Sequence, residues 1–294
     1  MNLLEKIHDP LFETKELNVY VLRLDKLHPL TGGNKHFKLK YNLEQAKELN
    51  SPAVLSFGGA YSNHIAALAS AAKEAGLHSI GVIRGNELDE NSNETLRTAR
   101  ANGMQFYFTD REAYRNKHKP DFLQELKERF GDFYLIPEGG SNAPAVKGCR
   151  EIRSFIPVPF AYMVTACGTG GTIAGISLSL EEHQQAIGIP VLKGADFLEK
   201  DILELQRRYF DFYREVPVFK APQLLYDYHF GGYAKSSPLL EQFRTDFERS
   251  MGIALDGIYT AKAFYALYDL ARKDLFLPGK TVVILHTGGL QAAQ

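Results

Sequence analysis

Short apolar runs alternate with helix-like stretches along most of the chain, and that alternation constrains the fold more than any other feature. "NVYVLRL" (18–24), "PAVLSF" (52–57), "SIGVIRG" (79–85), "MQFYFTD" (104–110), "FAYMVTACG" (160–168), "AIGIPVLKG" (186–194) and "KTVVILHTGG" (280–289) have the length and residue types of strands. Segments 62–76, 91–103, 172–183, 196–209 and 260–273 between them have helical character. Strands joined through helices run parallel, and continuous apolar runs suit a sheet covered on both faces. The expected class is therefore α/β with open parallel sheets. Such sheets bind ligands at the carboxyl ends of their strands. Three strands run there directly into small polar residues: "LSFGGAYSN", "MVTACGTGGT" and "ILHTGG".

A chain of 294 residues suits two domains or one large one. Turn chemistry makes "PEGGSNAP" (137–144) the best hinge candidate. The formal net charge of −1 leaves no basic field for nucleic acid. Two cysteines, Cys149 and Cys167, with no C-x-x-C pair, argue against a disulfide framework or a cysteine zinc site. The histidines lack metal-ligand spacing, and no G-x-S-x-G elbow is present. The beginning of the chain does not read as a signal peptide, and no run is long enough for a membrane helix. A cytoplasmic protein without membrane or nucleic-acid partners is the expectation.

"CGTGGT" (167–172) follows a strand and opens a helix. Backbone N–H groups at a helix N-terminus, with the helix dipole behind them, make an anion cup. The same glycines also suit a tight turn with no ligand at all. Ile173 stands where a dinucleotide fingerprint needs its last glycine, and "PGKT" (278–281) precedes a strand rather than a helix, so a compact monophosphate cup is what remains. Ser62 in "SNH" reads as a helix cap, as a crevice residue, or as both. Tyr233 in "GGYAK" and Tyr259 in "DGIYTAK" stand in turn-like, Gly-flanked contexts that suit either packing or a pocket. "GGNKHFKLKYNLEQAK" (32–47) carries four lysines, Lys35, Lys38, Lys40 and Lys47, and nothing within it tells a reactive amine from a solvated one.

Taken in order, "GGNKHFKLKY", "FGGAYSNH", "GGSNA", "CGTGGT", "GIYTAKAFYAL" and "HTGG" resemble the 1-aminocyclopropane-1-carboxylate deaminase and D-cysteine desulfhydrase family of pyridoxal-phosphate enzymes. The resemblance spans residues 25–289. It implies the tryptophan-synthase-β-like fold: two open parallel-sheet domains with the active site between them. The small domain would be inserted at 43–146, and 1–42 with 147–294 would form the large one. It implies pyridoxal 5'-phosphate as cofactor, held covalently by Lys38. Lys35, Lys40 and Lys47 would remain ordinary amines, with Lys35 near the pocket mouth.

The resemblance further implies a phosphate loop of Gly168, Thr169, Gly170, Gly171 and Thr172. Asn63 would face the cofactor's phenolic oxygen, Thr287 its pyridine nitrogen, and Ser62 the substrate carboxylate or a proton in transit. Tyr233 and Tyr259 would be the pocket tyrosines. A homodimer acting on a small amino acid follows from the same likeness. Tyr61 departs from it, standing where members carry glutamine, and "GGYAK" departs from the usual "GYG".

Thr260 in "IYTAK", where the deaminase branch has glutamate, and Thr287 in "HTGG" point to D-cysteine desulfhydrase-like β-elimination. 1-Aminocyclopropane-1-carboxylate deamination, a β-replacing synthase and a non-catalytic ligand-binding paralogue are the alternatives.

Overall fold

The computed structural model describes residues 3–28 and 31–289. In chain order the elements are β1 (Leu4–Lys6), α1 (Pro10–Thr14), β2 (Asn18–Arg23), α2 (Asn34–Glu48), β3 (Ala53–Gly59), α3 (Asn63–Ala75), β4 (His78–Arg84) and α4 (Glu94–Ala101). Then come β5 (Gln105–Thr109), α5 (Arg111–Arg115), α6 (Pro120–Phe130), β6 (Tyr134–Leu135), α7 (Ala143–Arg150), β7 (Tyr162–Cys167) and α8 (Gly171–Ser179). The chain continues through β8 (Gln185–Pro190), α9 (Leu198–Tyr213), β9 (Gln223–Leu224), α10 (Pro238–Met251), α11 (Thr260–Arg272) and β10 (Thr281–His286).

Two sheets organise these elements. One has six strands in the order β1-β2-β10-β7-β8-β9, the other four in the order β5-β4-β3-β6. All pairings are parallel except that of β1 with β2, which is antiparallel and forms an edge. The α/β expectation holds, with this one edge strand as a refinement. β1 and β9 are three and two residues long, too short to leave an apolar run in the sequence.

Alternate strand residues serve opposite faces. Val283 and Leu285 of β10 join one core with α2, α7, α8 and α9, while Val282 and Ile284 join another with α10 and α11. The four-stranded sheet behaves in the same way. Val54 and Ile83 face α3 and α4, while Leu55, Phe57, Ile80 and Val82 face α5 and α6. Both sheets are thus doubly covered, as the continuous apolar runs require.

The strands of the four-stranded sheet all fall within 53–135, inside the segment expected to be inserted. Positions 43 and 146, however, lie inside α2 and α7, and those two helices pack on each other. Phe37 of α2 belongs to the core of the larger sheet, while Leu39, Leu43 and Ala46 belong to that of the smaller. One helix therefore spans both units. Among the described residues no helix is long and apolar enough to cross a membrane.

Candidate active site

The carboxyl ends of β3, β4, β7 and β10 open onto one cavity of about 560 Å³. Lys38, Ser62, Asn63, Gly168, Thr169, Gly170, Gly171, Thr172, Tyr233, Tyr259 and Thr287 all line it. They come from segments more than 200 residues apart in sequence. Lys35, Tyr61, His64, Arg84 and Glu138 line it as well.

The glycine-rich turn leaves β7 and enters α8. Gly170 caps the helix with φ +75°, in the left-handed region that favours glycine. The Thr169 and Ser141 hydroxyls are 2.5 Å apart, and Thr172 Oγ1 accepts a hydrogen bond of 2.8 Å from Asn34 Nδ2. A Cβ on Gly171 would come within 2.7 Å of Ser141 Oγ and 3.1 Å of Lys38 Nζ. The turn is therefore a cradle that side chains would fill, with an amine beside it.

Ser62 caps α3, its hydroxyl accepting from the Ile65 N–H at 3.4 Å, and it lines the cavity too. Both readings of that serine are realised in the same geometry. Asn63 Oδ1 is buried without a hydrogen-bond partner. A buried, unpaired carbonyl oxygen is costly, and a ligand offering a hydrogen bond offsets that cost. His64 is buried on the same helix, with Nε2 2.8 Å from Ser56 Oγ and Nδ1 unpaired. Burial first, then the neighbouring Lys35 and Lys38, hold its imidazole well below the usual range, so it is neutral.

Of the four lysines of α2, the two that line the cavity differ. Lys38 is 3% exposed, and its Nζ donates to the Gly139 carbonyl at 2.9 Å and to Ser141 Oγ at 3.3 Å. Lys35 Nζ donates to the side chain of its neighbour Asn34 at 2.9 Å. Burial, then the charge of Lys38, pull the Lys35 amine down to about 7 from 10.5. Burial lowers Lys38 as well. Lys35 thus brings to the cavity an amine that loses its proton more readily than a solvated lysine does. Lys40 forms a surface ion pair with Glu151 at 2.8 Å, and Lys47 is exposed, as expected of solvated amines.

Tyr259 precedes α11 and meets Tyr233 edge-on, with ring centroids 6.1 Å apart. Burial first, then Tyr233, raise the Tyr259 phenol well above its ordinary value, so it stays an O–H donor. Tyr233 is 45% exposed and Tyr61 is 62% exposed; both stand at the cavity rim. Thr287 follows β10, and its carbonyl accepts from the Asn34 N–H at 3.3 Å. Thr260 points elsewhere: it is fully buried, does not line the cavity, and its hydroxyl lies 2.5 Å from Asp256 Oδ2.

Sequence reasoning missed Asn34, Ser141 and Gly139 as parts of this site. The "GGNK" and "PEGGSNAP" turns were their signal. Arg84 carried none, because a strand-ending arginine looks like any surface charge.

A doubly wound fold whose strand ends gather a glycine-rich helix N-terminus, buried amines and an orphaned amide oxygen suits an enzyme that holds a phosphorylated cofactor. Comparison with known proteins agrees. The family model described as pyridoxal-phosphate dependent enzyme matches residues 8–288, and the chain belongs to that family. A Pyrococcus horikoshii protein proposed by name to be a 1-aminocyclopropane-1-carboxylate deaminase is 34% identical over 93% of this chain and 85% of its own. The Arabidopsis thaliana mitochondrial bifunctional D-cysteine desulfhydrase/1-aminocyclopropane-1-carboxylate deaminase is 28% identical over 88% of this chain and 69% of its own. A solved structure of an ACC deaminase homologue superposes with a TM-score of 0.86 at 30% identity, covering 99% of this chain and 90% of the other. The protein is thus a pyridoxal-phosphate dependent enzyme, and the cradle at Gly171 and the unpaired Asn63 oxygen fit that cofactor.

Proposed function

We propose that the protein eliminates a β-substituent from a small amino acid, with D-cysteine as the reference substrate and pyruvate, ammonia and sulfide as products. The observation that carries this reading is the character of the cavity's carboxylates. Asp25 and Glu138 are the acidic side chains that line it among the described residues, and both are engaged. Asp25 pairs with Arg23 at 2.6 Å, and Glu138 with Lys117 at 3.2 Å. The hydroxyl group of Thr287 is the neutral group that the resemblance sets opposite the pyridine nitrogen. A neutral partner there suits the departure of a good leaving group such as thiolate. Opening a cyclopropane ring calls for stronger electron withdrawal. The plant relative's printed name joins both activities, so 1-aminocyclopropane-1-carboxylate deamination is the second reading.

Bound pyridoxal phosphate supplies the electron sink for the substrate's α-carbon. The residues divide the remaining work. We assign covalent attachment to Lys35 rather than Lys38, because its amine has one side-chain acceptor and burial pulls it down to about 7, which gives it a substantial neutral, nucleophilic fraction at physiological pH. The same Nζ suits moving a proton at the α-carbon. Lys38, fixed beside Gly171 by Gly139 and Ser141, supplies positive charge next to the cup formed by Gly168, Thr169, Gly170, Gly171 and Thr172. Asn63 presents its side-chain amide to the cofactor's phenolic oxygen, the NH2 group being the donor. Ser62 and the N-terminus of α3 receive the substrate carboxylate, and Tyr259 and Tyr233 present phenolic O–H groups from the opposite wall. Residues 43–146 are read as the inserted domain. Cytoplasmic location and a homodimeric state are proposed on the resemblance alone.

The test is to incubate holoenzyme separately with D-cysteine, L-cysteine, D-serine and 1-aminocyclopropane-1-carboxylate, measuring sulfide and keto acid. Sulfide with keto acid from D-cysteine is the expected result. Keto acid from the cyclopropane substrate, with no sulfide from D-cysteine, selects the second reading.

A further inference from the structure

We propose that Arg84 recognises a second anionic group on the amino-acid substrate, one carried by its side chain beyond the α-carboxylate. The inference rests on the reading of this cavity as an amino-acid site and names the substrate class that the site prefers.

Arg84 is the last residue of β4 and pairs in register with Gly59, the last residue of β3. Both stand at the strand ends where the cavity opens. The guanidinium reaches across Gly59: a Cβ placed there would contact Arg84 Nη2 at 3.7 Å. The absence of a side chain at Gly59 leaves the approach to the cation open. Beneath it lies the buried Tyr114 ring, 5.7 Å from Arg84 Cζ, which steadies the guanidinium by a cation–π contact.

The Arg84 side chain has no ion pair and no hydrogen bond among the described residues. The carboxylates nearby do not satisfy it. Glu138 accepts from the Tyr114 hydroxyl at 2.9 Å and from Lys117 Nζ at 3.2 Å. Asp25 is taken by Arg23 at 2.6 Å and lies 3.2 Å from His286 Nδ1.

Charge balance then points to a ligand. Lys35, Lys38 and Arg84 are the lysine and arginine side chains lining the cavity. In the functional reading Lys35 becomes the covalent anchor, Lys38 faces the phosphate, and the substrate's α-carboxylate goes to Ser62 and the N-terminus of α3. Arg84 is left over, and it is exposed to solvent. A substrate whose far end carries a carboxylate, or an anion of similar shape, completes the pairing. The planar guanidinium with its five donors is built for such a group.

The experiment titrates holoenzyme with D-glutamate, D-glutamine, D-aspartate and D-asparagine, reading affinity from the bound cofactor's absorption and from calorimetry. Wild-type protein is expected to bind each acid about 10-fold or more tightly than its amide, in line with a charge-assisted bidentate contact. The preference should shrink as salt rises. Arg84→Met, which keeps most of the aliphatic stem, should erase the preference, and Arg84→Lys should retain part of it. Circular dichroism confirms that the variants fold. Equal binding of acid and amide by the wild type would overturn the proposal. So would an Arg84→Met protein that weakens both ligands in equal proportion, which would make Arg84 the α-carboxylate contact. A holoenzyme whose cofactor responds to no amino acid at all would overturn the amino-acid reading itself, and this inference with it.

Discussion

Lys35 and Lys38 stand one turn apart on α2 and line the same cavity, yet only Lys38 is tied across the site. Its amine holds the Gly139 carbonyl and the Ser141 hydroxyl, residues about 100 positions further along the chain. Lys35 is bound only to the side chain of the residue before it. The first amine is held in place by two partners from a distant segment, and the proposed covalent role falls to the second.

Lys35→Ala should abolish the visible absorption of the covalently held cofactor and cut turnover at least ~1000-fold, as loss of a covalent catalyst does. Lys38→Ala should keep a visible band while weakening cofactor affinity ~10-fold or more, because a charge-assisted contact is lost. Absorption spectra of the two purified variants decide the matter. Loss of the band in Lys38→Ala with its retention in Lys35→Ala would return the covalent role to Lys38.

Stability of the apoprotein should rise with pH just above neutrality. Lys35 has a folded-state value of about 7 against 10.5 for a free lysine. Between those limits the unfolded chain binds a proton that the folded chain has released, so folding gains as pH rises and loses as pH falls through 7. Lys262, at about 8, adds a slope of the same sign from that pH upward. Cys149 and Cys167, pushed by burial to about 11 and about 12, act in the opposite sense once pH exceeds 9, the ordinary thiol value. The clean window therefore runs from pH 7 to about 8.5. Thermal unfolding across it should show a steeper rise for wild type than for Lys35→Met. Parallel curves would remove Lys35 as the low-pKa amine.

Gly170→Val should weaken cofactor binding by about 10-fold or more while leaving a folded protein. The position has φ +75°, and a Cβ there would come within 2.8 Å of the Ile202 side chain. A β-branched residue both strains that backbone and displaces α9 from under the cup. Fluorescence titration of the apoprotein with pyridoxal phosphate measures the effect. An unchanged dissociation constant would take the phosphate away from this turn.

Much of this was legible from sequence because strand ends and glycine turns leave local signals. "CGTGGT" and "SNH" marked the cup and the cap of α3 from a few adjacent residues. The choice between Lys35 and Lys38 had no such signal, since the two differ through Gly139 and Ser141, partners that only the packing of α2 against α7 brings near. Thr260 illustrates the same limit. Its position suggested a part in setting the cavity's electronics, but Asp256 holds its hydroxyl away from the cavity. α10 escaped notice as well, since its apolar face is thin: Leu240 and Phe247 are its buried residues.

Lys262 is fully buried, and its amine donates to the His229 carbonyl at 2.9 Å and the Gly232 carbonyl at 2.7 Å. Those carbonyls belong to the loop that delivers Tyr233, while Lys262 lies three residues beyond Tyr259 on the same chain segment. One side chain therefore fixes the two tyrosines relative to each other. Lys262→Met fills the space without the donors. The loop keeps its own Gly232-to-His229 and Lys235-to-Gly232 hydrogen bonds, so it should loosen rather than collapse. Loss of two buried hydrogen bonds should cost ~1–3 kcal/mol, seen as a fall in Tm of a few degrees. If Tyr233 helps to bind substrate, KM should rise several-fold with a smaller change in kcat, and hydrogen exchange should quicken at 229–235. A lower Tm with KM and exchange in that loop unchanged would leave Lys262 a purely structural lysine.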